Sequence, residues 1–133
     1  MTLQDARTIT SASIAKAEEM GVKVSVAVLD EGGHIVSINR MDGAGFVTAE
    51  IALGKASASA AFKRSSAQLQ TMAEGKPTFF SGISTLMHGR FLAGQGALPI
   101  LKGQECLGAV GASGAKSDED EEIVQAGINA LLG

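Results

Sequence analysis

A run of alternating valines, a double glycine and a second apolar run constrain this chain most. The segment from Val24 to Gly43 reads VSVAVLDEGGHIVSINRMDG. Asp30-Glu31-Gly32-Gly33 is a tight turn, because glycine supplies the positive φ that short hairpin connections need. Val22, Val24, Val26 and Val28 alternate with Lys23, Ser25, Ala27 and Leu29. That pattern predicts a strand that becomes apolar on both faces, hence a central one. His34–Met41 is the returning strand, with His34, Val36, Ile38 and Arg40 expected on one face and Ile35, Ser37 and Asn39 on the other. Asp42-Gly43-Ala44-Gly45 ends it. His34 thus sits at the hairpin tip, and Arg40 and Asp42 at the strand exit, where a rigid scaffold presents loop residues.

Helices bracket this hairpin. Thr2 is placed to cap a first helix, with Asp5 near its positive N-terminal end. Leu3, Ala6, Ile9, Ser13, Ile14, Ala17 and Met20 form a stripe at helical spacing, and Gly21 is a stop. Val47–Lys63 reads as a helix whose small residues Gly54, Ala58 and Ala61 allow close packing. A further helix is expected over Ser66–Ala73, then a loop over Gly75–Gly82 carrying Pro77, Phe79 and Phe80. Thr85–Leu92 gives no clear pattern. Gly94-Gln95-Gly96 leads into a short strand, Leu98–Leu101. Lys102-Gly103 then turns into a buried strand, Cys106–Ala112. Ser117 is expected to cap the last helix, with Asp118, Glu119 and Asp120 in its first turn. Paired hairpins with helices at both ends predict an antiparallel sheet layered with helices, an α+β fold. The 133 residues fit one domain spanning 1–133.

Composition removes several function classes. The net charge is −3, no basic block occurs, and Trp and Tyr are absent. Nucleic-acid binding needs phosphate-neutralising side chains and commonly stacking aromatics, so it is not expected. No apolar run approaches the roughly 20 residues that span a bilayer, so no membrane partner is expected. No basic-then-apolar leader is present at the start, and the single Cys106 forms no internal disulfide, so the cytoplasm is the expected location. With 17 Gly and only five Phe, the core is modest, and self-association is expected to add buried surface.

The hairpin, Ile51-Ala52-Leu53-Gly54-Lys55-Ala56, Ala97-Leu98-Pro99-Ile100 and Leu107-Gly108-Ala109-Val110-Gly111-Ala112-Ser113-Gly114 form four ordered blocks. Together they resemble the GlcG/HbpS (DUF336) family, which includes the C-terminal domain of the corrinoid adenosyltransferase PduO. The resemblance runs from the first helix to Ile128. It implies a profilin-like α-β-α sandwich with a five-stranded antiparallel sheet. It also implies tetramers or octamers, small-ligand binding, and genes in catabolic operons. Some members bind haem, and a few act as lyases on small aromatic substrates. The family resemblance therefore constrains fold more than function.

The candidate site residues follow from their chemistry. His34 is an iron ligand or proton carrier, or else an exposed hairpin residue. His88, in Leu86-Met87-His88-Gly89-Arg90, is a second candidate ligand, or a surface-loop residue. Arg40, Asp42 and Lys55 offer charges for a ligand carboxylate, or else surface pairs Arg40–Asp42 and Glu50–Lys55. Glu50 is a candidate proton carrier beside His34. Gly94 and Gly96 expose backbone N–H groups to an anion, or simply turn the chain. Phe79 and Phe80 form either an apolar wall over a pocket or a subunit contact. Cys106 reads as a small core residue, and no Ser nucleophile motif is present. His34 and Arg40 lie six residues apart on one strand, about 20 Å. One small ligand touches both only if a neighbouring subunit joins the two ends.

These residues leave two functions open. One is a homo-oligomeric haem- or tetrapyrrole-binding accessory protein. The other is a lyase acting on a small aromatic acid of hydroxylaminobenzoate type, with Arg40 or Lys55 on the carboxylate. A structural partner of an operon enzyme is the third, plainer case.

Overall fold

The computed structural model describes all residues, 1–133. Helix α1 (Leu3–Met20) leads into β1 (Ser25–Asp30) and β2 (Ile35–Arg40). Helices α2 (Val47–Phe62), α3 (Ser66–Gly75) and α4 (Pro77–Leu86) follow. The chain closes with β3 (Ala97–Lys102), β4 (Glu105–Ser113) and α5 (Ser117–Leu132). The sheet is antiparallel with order β2-β1-β4-β3. The two hairpins therefore meet along β1 and β4, and β1 is central, as its two apolar faces require.

The sheet has four strands, not the five that the family resemblance implies. The residues between α3 and β3 form α4 instead. After α4 the chain turns through Met87–Arg90, and the Leu92 amide donates to the Gly54 carbonyl of α2 rather than to a strand. The loop expected over Gly75–Gly82 is likewise replaced by α4. Pro77 opens that helix at its first turn, where a missing N–H costs nothing and a fixed φ helps.

Helix ends follow local chemistry. Thr2 and Asp5 form a reciprocal capping box on α1, and Gly21 closes it in the left-handed conformation. Ser65 and Gln68 do the same for α3. The last helix is capped one residue earlier than expected. Lys116 is its cap residue and Ser117 is already helical, while Glu119 reaches back to the Lys116 amide.

Two apolar layers flank the sheet. Ile9, Val26, Val28, Val110, Ile123 and Val124 pack between the sheet and the α1/α5 pair. Ala27, Leu29, Ala52, Leu53, Ala56 and Ala109 pack between the sheet and α2. Val36 belongs with the first layer and Ile38 with the second, so the expected single face of β2 is broken. The cause is a bulge: Val28 pairs with Ser37 but Leu29 with Ile35, which leaves Val36 over. Helix α2 lies almost on the backbone of β4. A Cβ at Gly111 would sit 2.5 Å from the Ala52 carbonyl oxygen, so only glycine permits this approach.

Candidate functional site

Helix α2 has a dry end and a wet end of chemistry. The dry part centres on Lys55, which is 4% exposed. Its Nζ donates to Asp120 Oδ2 at 3.3 Å and to the Gln95 carbonyl at 3.1 Å. Asp120, 3% exposed, also accepts the Ala115 amide at 3.1 Å through Oδ1. Burial depresses the Lys55 pKa, and the Asp120 charge opposes that shift. Burial likewise raises the Asp120 pKa against the pull of Lys55. The pair ties α2, the loop before β3 and the first turn of α5 together. Gly96 completes this node. Its φ is +133°, and a Cβ there would fall 2.3 Å from Lys55 Nζ.

Lys55 and Glu50 therefore do not form the surface pair considered above. Lys55 turns inward to a partner 65 residues away. Gly94 and Gly96 are both drawn to it: the nearest atom to a Cβ at Gly94 is Lys55 Cδ, at 3.9 Å. Nor do Arg40 and Asp42 pair. Arg40 Nη1 donates to the Ala44 carbonyl at 2.8 Å and fastens the turn into α2, while Asp42 stays exposed.

The open end of chemistry is a cleft. Glu50, Leu53 and Gly54 of α2 face His88, Gly89 and Arg90 across a cavity of about 170 Å³. Arg90 also borders a second cavity of about 350 Å³, lined by Glu31, Gly32 and Gly33 of the hairpin tip, Ser57, Ala60 and Ala61 of α2, Lys63 just past its end, and Met87. Arg90 is a wall of both, so the two cavities are neighbours. His88 and Gly89 both have positive φ, at 56° and 79°. A left-handed pair of residues reverses the chain sharply after α4 and sets His88 and Arg90 against α2.

Of the residues expected from sequence, the cleft brings together Glu50 and His88. His34 does not line it. The His34 amide and Nδ1 both engage Asp30 Oδ1, at 2.9 and 3.1 Å. That amide, foremost, holds the Asp30 carboxyl below its usual value, aided by the Gly32 amide and the His34 ring. Arg40 and Asp42 lie at the far end of the hairpin, since Arg40 pairs with Ser25 while His34 closes the turn at Asp30. Phe79 and Phe80 belong to a separate aromatic cluster with Phe62 and Phe91. Sequence reasoning missed Arg90 and Asp120. Arg90 had a signal, a basic side chain one residue past the His88-Gly89 turn. Asp120 had none, because it is one of three acids in one helical turn. No group of three or more His, Cys, Asp or Glu is placed to hold a metal ion by itself, and no helix is long and apolar enough to cross a membrane.

Comparison with known proteins agrees with this architecture. A 15.0 kDa protein from the dhaT-dhaS intergenic region of Citrobacter freundii is 26% identical over 131 residues, covering 98% of this chain and 92% of that protein. The crystal structure of Klebsiella pneumoniae protein ORFY superposes with a TM-score of 0.90 at 27% identity, covering 98% of this chain and 90% of that one. A structure of a PduOC:haem complex matches with a TM-score of 0.87 at 25% identity, over 98% and 94% of the two chains. The family described as haem degrading protein HbpS-like matches residues 1–129, and the chain belongs to that family.

Proposed function

We propose that this chain is a homo-oligomeric accessory protein of a catabolic operon that binds haem or a related tetrapyrrole in the cytoplasm. The observation that carries this proposal is the pair of neighbouring cavities, with an imidazole and a guanidinium on the one sharp turn that borders them. Likeness to a PduOC:haem complex supports the ligand class.

The residues of the cleft fit such a group. Bound haem would supply an iron centre with an open coordination position. His88 would offer a ring nitrogen, its backbone held by the left-handed turn. Arg90, a wall of both cavities, offers a forked donor for a propionate, and Lys63 a second cation. Leu53, Ala60, Ala61 and Met87 give the macrocycle apolar contact. For self-association, the support is Phe46, 87% exposed just before α2, beside half-exposed Val47.

Titration with haem tests the ligand. A saturable Soret shift is expected, reduced at least about tenfold in affinity by H88A and unchanged by H34A. No spectral change at haem excess rejects the proposal. Native mass spectrometry tests the assembly, and a monomer at all concentrations rejects that part.

Glu50 facing His88 and Arg90 supports a second reading, a lyase on a small aromatic acid. Arg90 would hold the carboxylate in place of Arg40 or Lys55, while Glu50 and His88 move protons. Turnover of a hydroxylaminobenzoate that is indifferent to E50Q, H88A and R90A removes it.

A further inference from the structure

Four of the five phenylalanines gather at one corner, where α2 ends and α3 meets α4. Phe80 and Phe91 are buried, but Phe62 and Phe79 are 38% and 62% exposed. Phe62, Met72, Phe79 and Phe80 wall a cavity of about 320 Å³. Clustered exposed aromatic side chains of this kind are what binding surfaces use.

The mouth of this cavity is cationic. Lys76 is the sole charged residue in its lining. Arg64 sits beside it, with Nη1 3.8 Å from Met72 Sδ. Neither Lys76 nor Arg64 takes part in any of the ion pairs of the structure. Glu74, two residues before Lys76, does not line the cavity. An apolar pocket with unpaired cations at its rim matches a molecule with an apolar body and one anionic end.

Size narrows the class. An apolar cavity of about 150 Å³ accommodates benzene. Twice that volume suits one or two fused rings. We propose that this cavity is a second ligand site, for a one- or two-ring aromatic carboxylate. The ring lies against Phe62, Phe79 and Phe80, and the carboxylate faces Lys76. This site is independent of the His88 cleft, so either can fail alone.

1-Naphthoate is a direct probe, because a chain without Trp or Tyr gives little competing emission. Saturable binding with a change in naphthoate fluorescence is expected. F79A, at a largely exposed position that leaves the fold intact by circular dichroism, is expected to weaken binding about tenfold. K76Q is expected to weaken 1-naphthoate about two- to five-fold but to leave 1-naphthalenemethanol unchanged. H88A is expected to have no effect. Absence of saturable binding overturns the proposal, as does equal loss of the acid and the alcohol in K76Q. So does binding that disappears as the protein self-associates, which would mean a second copy covers the aromatic face.

Discussion

Lys55 and Glu50 stand five residues apart on the same helix, and their surroundings give them opposite uses. Lys55 points into the protein, where Asp120 and the Gln95 carbonyl accept hydrogen bonds from its ammonium. Glu50 lies exposed on the cleft with His88 and Arg90. A buried charge is committed to its partner, because leaving it unpaired is costly. An exposed charge in a cleft stays free to meet a ligand. Burial, more than residue type, separates structure from function along α2.

The largest effect is expected from breaking the dry end. D120N or K55M alone leaves one buried charge without its countercharge and should cost about 3–5 kcal/mol, read by denaturant unfolding. The double variant K55M/D120L should regain much of that loss, and a double as unstable as the sum of the singles would show that the pair is not a unit. Next is G96A. Its methyl group meets Lys55 Nζ and its φ of +133° disfavours any side chain, so a loss of about 2–4 kcal/mol is expected. K55M in the G96A background should relieve part of it.

At the wet end the pattern should invert. R90A and E50Q are expected to change stability by no more than about 0.5 kcal/mol. R90A should nevertheless weaken haem binding several-fold in a Soret titration. A large loss of stability in either would merge the two regions into one and break the comparison.

The smallest effect lies at the hairpin tip. Asp30 titrates below its ordinary 3.8 because the ionised carboxyl accepts the His34 and Gly32 amides. Its contribution is complete above that ordinary value and is lost as pH falls through the lowered folded value. NMR should show the Gly32 amide signal moving as pH falls through the lowered Asp30 value, and D30N should abolish that movement.

Much of the fold was legible. The capping box of Thr2 and Asp5, the stop at Gly21 and the turn at Gly32-Gly33 are local chemistry, and the structure has each of them. The strand alternation of Val24, Val26 and Val28 placed β1 correctly at the centre. Helix α4 was not legible, since Gly75, Pro77 and Gly82 together imitate a loop, although a proline at a first turn favours a helix. The bulge at Val36 shifts which face each residue meets, and no residue type announces it. For the candidate site, Glu50 and His88 were chosen singly, and their meeting across the cleft depends on the left-handed turn after α4. The Lys55–Asp120 contact joins residues 65 apart, a separation that local patterns do not reach.

Gly111 has a mechanical consequence. With the α2 backbone resting directly on β4, that helix cannot rock or slide without colliding with the sheet. The other wall of the cleft hangs from the short α4 and a single reversed turn. The cleft therefore has one jaw set against the sheet by backbone contact and one carried on α4 and its left-handed turn.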